Sequence, residues 1–221
     1  MSVPAKANPR IAVLDYGMGN LRSVEKALER AGASAVVTRD PDEVRAADGV
    51  VLPGVGAFPK AMRNLQELGL DVLVRQLVGD GVPMLGICLG MQLLFEASSE
   101  NEGSPGLGLL EGSVERLPAP GLKVPLIGWV PAQWTKRSAL TAGLPDPCPF
   151  YFVHSFAPRA VAEHEKLGFA EYGAPFVCAV ERPPLFGVQF HPEKSSVHGL
   201  RLLENFTGVC ASASVDAFSR A

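Results

Sequence analysis

An α/β fold is expected from this sequence, with a mostly parallel central sheet and antiparallel strands added to it. Three observations carry that expectation. Residues 10–95 alternate short apolar runs with amphipathic stretches, the runs are apolar enough to be buried strands, and after Gly103 the rhythm changes to brief runs separated by Pro and Gly.

Arg10 to Asp15 is the first apolar run, and it ends at the turn Tyr16-Gly17-Met18-Gly19. Asn20 can cap the helix that follows, which carries Leu21, Val24, Leu28 and Ala31 on one face and is stopped by Gly32. Ala35 to Thr38 and Gly49 to Leu52 read as further buried strands, linked by a short helix from Pro41 to Ala47. One long helix is expected from about Pro59 to Val78. The apolar strand Pro83 to Ile87 then runs straight into Cys88 and a helical pattern from Met91 to Phe95. Leu109 to Leu117, Val124 to Val130, Phe150 to Ser155, Phe176 to Glu181 and Leu185 to Phe190 are expected to join the same sheet as mixed or antiparallel strands. Val197, Leu200, Leu203 and Phe206 predict a last helix over Ser196 to Phe206, and Cys210 to Ala221 reads as a frayed tail.

No linker rich in Gly, Ser or charge divides the 221 residues, so one domain is expected over residues 10–207, between a flexible segment 1–9 and a tail 208–221. With 47% apolar and 19% charged residues the composition excludes a disordered chain, and a net charge of −3 with scattered basic residues argues against nucleic acid as partner. Met1 to Arg10 lacks the apolar stretch of a secretory signal, and no run is apolar enough to span a bilayer, so no membrane association and a cytoplasmic protein are expected. Cys88, Cys148, Cys178 and Cys210 lack the paired spacing of a zinc site or disulfide scaffold, and neither metal nor cofactor is expected. Three of these thiols read as passive; the context of Cys88 is different.

Gly86-Ile87-Cys88-Leu89-Gly90, set between an apolar strand and a helix, has the shape of a nucleophile elbow. Such a turn forces the nucleophile into a strained backbone geometry and needs glycines where side chains would clash. Cys88 then projects at the carboxyl edge of the sheet, where open α/β sheets bind ligands. The helix behind it favours the thiolate, and the Leu89 amide can help hold an oxyanion. The alternative is a small buried hydrophobe flanked by packing glycines. His191 supplies the missing base: it ends the run Gly187-Val188-Gln189-Phe190, and Glu193 follows two residues later, where a carboxylate can fold back to orient the imidazole. His154, at the end of Tyr151-Phe152-Val153, reads as a structural hydrogen-bonder. Gly54, Val55 and Gly56, within Pro53 to Phe58, could present amides to an oxyanion or simply turn a strand into a helix; a phosphate loop is excluded because the Gly-Lys-Ser/Thr ending is missing.

Five segments then resemble one family: Asp15 to Asn20, Pro53 to Phe58, Gly86 to Phe95, Tyr151 to Ser155 and Gly187 to Ser195. They resemble the class I (triad) glutamine amidotransferases, in particular the glutaminase subunits of imidazole glycerol phosphate synthases, over about residues 10–207. The resemblance implies a three-layer, flavodoxin-like fold. It implies Cys88 as nucleophile on the side-chain amide of glutamine, His191 as base and proton donor, and Glu193 as its orienter. By position it implies an oxyanion strand at Gly54, Val55 and Gly56, and a glutamine site at Gln92, Ser155 and Glu100, with Glu96 the alternative carboxylate. It further implies a heterodimer with a (β/α)8-barrel cyclase subunit that receives the ammonia and converts PRFAR to imidazole glycerol phosphate and AICAR. Lys194, Trp129 and the segment Pro125 to Val130 would face that partner. The sequence departs from the family pattern at Leu126, Ile127, Val130 and Phe156, where lost polar groups bear on the interface. Two other readings remain: a triad amidotransferase serving another synthase, or a silent scaffold of the same fold.

Overall fold

The computed structural model describes residues 8–218, and side chains as far as residue 213. Most of the expected flexible segment 1–9, and residues 219–221 of the expected tail, lie outside the described residues. In chain order the elements are β1 (Arg10–Leu14), α1 (Leu21–Arg30), β2 (Ser34–Thr38), α2 (Pro41–Arg45), β3 (Gly49–Gly54), α3 (Phe58–Glu67), α4 (Leu70–Gly79), β4 (Met84–Cys88) and α5 (Leu89–Leu93). There follow β5 (Phe95–Ser98), β6 (Ser104–Pro105), β7 (Leu110–Arg116), β8 (Leu126–Trp134), β9 (Cys148–His154), β10 (Phe156–Arg159), β11 (Lys166–Tyr172), β12 (Ala174–Arg182), β13 (Leu185–Val188) and α6 (Ser196–Phe218).

Among the described residues the main sheet has the order β2-β1-β3-β4-β13-β12-β11-β8-β9. Strands β2, β1, β3, β4 and β13 run parallel, and β12, β11, β8 and β9 continue the sheet antiparallel. The parallel half is covered on both faces. Ile11 and Val13 of β1 share one core with Val24 and Leu28 of α1 and Leu202 and Leu203 of α6. Ala12 and Leu14 share the opposite core with Met62 and Leu65 of α3 and Leu73 and Val74 of α4. Double coverage is why these strands read as unbroken apolar runs. The result is a three-layer α/β arrangement whose strand ends carry the site.

Several expected elements are corrected by packing. The long helix over Pro59 to Val78 is two helices, because Gly69 between them takes a left-handed φ of 65°. The helical pattern Met91 to Phe95 stops at Leu93: the backbone N–H groups of Leu107, Leu109 and Leu110 take the Leu93 and Leu94 carbonyls, and Phe95 opens β5. Leu109 to Leu117 does not join the main sheet; β7 lies in a second sheet of order β10-β7-β5-β6. Asn20 occupies the N-cap position of α1, but its side chain makes no capping bond. The last helix does not end near Phe206. It continues to Phe218, with Cys210 buried so close over Gly49 that a Cβ there would collide with its sulfur. Among the described residues no helix is long and apolar enough to cross a membrane.

Candidate active site

The parallel register sets Gly54, the last residue of β3, beside Cys88, the last of β4, and Val188 of β13 beside Ile87. Three strands therefore deliver their carboxyl ends to one edge, as open α/β sheets do at ligand sites. Cys88 passes from β4 into α5 without a loop, at φ 54° and ψ −112°, a conformation costly for a residue with a side chain. Close approach explains the elbow glycines: a Cβ on Gly90 would collide with the Leu52 carbonyl oxygen, and one on Gly86 would sit 2.7 Å from Met91 Cα. Because α5 has only five residues, few aligned peptide dipoles stand behind the thiol, fewer than the helical pattern suggested.

His191 reaches the same edge from the segment after β13. Its N–H donates to the Tyr151 carbonyl at 2.9 Å, and Phe190 stacks on Phe150 with centroids 3.8 Å apart. Glu193 Oε1 lies 2.8 Å from His191 Nδ1, so Nδ1–H donates to the carboxylate and Nε2 is left as the working nitrogen. Nε2 is buried and closes no aligned hydrogen bond, yet Cys88 stands near enough to act on the ring. Burial pulls the His191 pKa down, but hydrogen bonding and charge from Cys88 and Glu193 outweigh it and carry it up to about 9. The arrangement favours the imidazolium form of His191.

That shift has a pH signature. The folded-state value lies above the ordinary 6.5, so proton binding at His191 favours the folded state. The contribution is complete below pH about 6.5 and falls away as pH rises through about 9. Glu193→Gln removes one source of the shift. Thermal melts across this window are expected to show the wild type losing more of its melting temperature than the variant; parallel curves would refute the coupling.

A staple holds the base in place. Ser195 Oγ donates to the His191 carbonyl at 2.6 Å and accepts from the Tyr151 N–H at 3.0 Å, and the side chain is fully buried. Ser195→Ala leaves the Tyr151 N–H with no acceptor, at about 1–3 kcal/mol, while the His191 carbonyl keeps only the Lys194 N–H at 3.0 Å. A lowered melting temperature is expected, measured by calorimetry; one equal to wild type would mean that the staple adds nothing. The motif ending Lys194-Ser195 was visible in the sequence, but not this role.

Beside Cys88 lies a pocket of ≈ 400 Å³ whose lining includes Val55, Gly56, Leu89, Gln92, Glu100 and Ser155, all of them expected site residues. Gly54, expected with them, is not part of that lining, and it has no room for a side chain against the Tyr16 hydroxyl. Tyr16 Oη donates to the Pro53 carbonyl at 2.7 Å, tying the Asp15 to Asn20 turn to this strand. Lys194 is exposed at the pocket rim. Of the two carboxylates, Glu100 lines the pocket, accepting from the Phe58 N–H at 2.7 Å, whereas Glu96 is drawn off to the Gly112 N–H at 3.0 Å. Both hydrogens of the Gln92 amide are already used, on the Phe156 carbonyl at 2.9 Å and Gln189 Oε1 at 3.0 Å, so only its oxygen remains for a ligand. His154 is the structural hydrogen-bonder expected, its Nδ1 donating to the Phe156 carbonyl at 2.8 Å. Burial, with the nearby charge of His191 adding and that hydrogen bond opposing, lowers its pKa to about 4 and keeps it neutral.

The other thiols are passive. Burial pushes Cys148 up to about 11 and Cys210 up to about 12, and raises Cys178 as well. On β8, Ile127 and Trp129 are exposed, Trp129 standing edge-on to Tyr151 at 6.1 Å. Leu126 and Val130 point the other way and are buried. Those two departures from the family pattern therefore lie on the inward face of β8.

A family model described as glutamine amidotransferase class-I matches residues 12–209. The chain belongs to the class I glutamine amidotransferases. Its relatives include the imidazole glycerol phosphate synthase subunit HisH of Moorella thermoacetica, 54% identical over 196 residues that cover 89% of this chain and 93% of the relative. The HisH protein of Methanosarcina mazei is 45% identical over 203 residues, covering 91% and 99%. This amidotransferase thus falls within the HisH family. The crystal structure of a putative GMP synthase component from Thermoplasma acidophilum aligns with a TM-score of 0.74 at 20% identity, covering 98% of this chain and 100% of that one, which establishes the shared fold.

Proposed function

We propose that this glutamine amidotransferase acts in histidine biosynthesis by hydrolysing glutamine at Cys88 and passing ammonia to a (β/α)8-barrel cyclase subunit in the cytoplasm. The observation that carries the residue assignment is the His191–Glu193 pair at 2.8 Å, held at the strand edge where Cys88 projects beside a pocket. The Cys88 thiolate attacks the side-chain amide carbon of glutamine. The resulting oxyanion is met by the Leu89 N–H and by backbone of the Gly54, Val55 and Gly56 strand. Imidazolium His191 gives its Nε2 proton to the departing ammonia, leaving a glutamyl thioester. Neutral His191 then takes a proton from water, whose oxygen attacks the thioester, and glutamate leaves as the sulfur is freed.

Glu100 suits the substrate ammonium, Ser155 and the Gln92 oxygen suit its remaining polar groups, and Leu89 closes the wall behind the thiol. Lys194, at the pocket rim, and the exposed Trp129 are the residues through which the cyclase would meet this face. There ammonia would react with PRFAR to give imidazole glycerol phosphate and AICAR. The test is glutamate release by the chain mixed with the barrel cyclase and its nucleotide ligand. Turnover that requires both supports the reading; wild-type protein that releases no glutamate in that mixture refutes it, and equally fast turnover without the partner refutes the coupling.

A further inference from the structure

Buried polar side chains inside an apolar strand need a reason, and Gln189 is fully buried directly after β13 with no part in the triad. Its orientation follows from a fixed acceptor two residues away in the hydrogen-bond chain. The Phe156 carbonyl can only accept, so the group 2.9 Å from it is the Gln92 amide nitrogen. The same nitrogen lies 3.0 Å from the Gln189 side chain, which must therefore turn its oxygen toward Gln92. That leaves the Gln189 amide nitrogen facing Cys88, 3.6 Å from Sγ. Flipping either amide would set like groups against each other.

We propose that Gln189 is a catalytic residue of this site, its side-chain N–H donating to Cys88 Sγ and holding the sulfur as a thiolate aligned for attack on the substrate. The proposal rests on the glutaminase reading above and deepens it. A second polar neighbour of the sulfur, besides the His191 ring, works in the opposite direction: the Val153 carbonyl, 3.9 Å from Sγ, can hold an S–H but repels a thiolate. Gln189 is the neutral donor that offsets it, and since the amide is fully buried no water can take its place. The titratable groups around Cys88 are His191 with Glu193 behind it, His154 at the end of β9, Tyr16 after β1, and, in the pocket beside it, Glu100 and Lys194. Gln189 carries no charge at any pH, so it displaces the ionisation profile of Cys88 without adding a step to it.

Iodoacetamide alkylation of Cys88, followed on its own peptide by mass spectrometry from neutral to alkaline pH, tests this in the intact chain. Gln189→Met keeps length and loses the donor. The profile is expected to move up by about one pH unit, with alkylation at neutral pH slowed about tenfold. In complex with the cyclase, kcat should fall while KM for glutamine holds. A folded Gln189→Met protein with the wild-type alkylation profile overturns the proposal. A second readout needs no change at residue 189: the Gln189 side-chain amide resonance of wild-type protein should titrate with the midpoint of Cys88 alkylation and lose that titration in Cys88→Ala. A flat resonance in wild type also overturns it. Because alkylation needs no glutamine, a wild-type protein that alkylates but does not release glutamate counts against the glutaminase reading and leaves the Gln189 result standing by itself.

Discussion

Cys88→Ala protein, mixed with the cyclase and its ligand, is expected to release no measurable glutamate, a loss on the order of 10⁴–10⁶-fold. His191 and Glu193 would remain in place, but a proton relay without an attacking sulfur does not form the thioester. Glutamate release and gel filtration with the partner measure the two halves of this expectation: turnover vanishes and association persists. Turnover at the wild-type rate would move the nucleophile elsewhere. The same position yields an unusual stability order. Ala at residue 88 keeps the φ of 54°, whereas Gly relieves a strain of roughly 1–3 kcal/mol and adds about 0.5–1 kcal/mol of chain entropy cost. Cys88→Gly should therefore melt above Cys88→Ala, by roughly 2–4 °C for each net kcal/mol, the reverse of what replacing Ala by Gly does in ordinary secondary structure.

Gly90→Ala is expected to damage the whole elbow. Its new Cβ would run into the Leu52 carbonyl oxygen, which is main chain in a buried strand and cannot rotate away. Relief requires α5 to lift from β3, at about 3 kcal/mol or more, or a fall in melting temperature of roughly 6–12 °C. Turnover should fall with it, because the shift moves Cys88 relative to His191. Calorimetry on purified variant decides the matter; a melting temperature equal to wild type would mean that α5 packs on β3 loosely enough to absorb a methyl group.

The parallel half of the sheet was legible because strands covered on both faces leave unbroken apolar runs, and helices between them leave a periodic face. The second sheet was not, since β5 is short and its pairing with β7 joins segments whose match only the folded chain reveals. Strand β11 was hidden for a related reason: register shifts around Gly168 interrupt the alternation that would mark it. Within the site, Cys88, His191 and Glu193 could be read because each lies in a motif whose local chemistry demands it. Ser195 and Gln189 could not, because a hydroxyl or amide in an apolar context acquires meaning only from its partners, here Tyr151 for one and Gln92 for the other. The same limit applies to Gln92, whose place at the pocket was anticipated but whose engaged hydrogens were not.

The pairing of β4 with β13 has a consequence for synthesis of the chain. The thiol strand is made early, but its neighbour carrying the base leaves the ribosome only after the entire antiparallel half has been built. A chain lacking residues from Leu185 onward has neither the strand that pairs with β4 on that side nor His191, the base assigned to Cys88. Reactivity that depends on His191 is thus gained only once β13 has paired with β4.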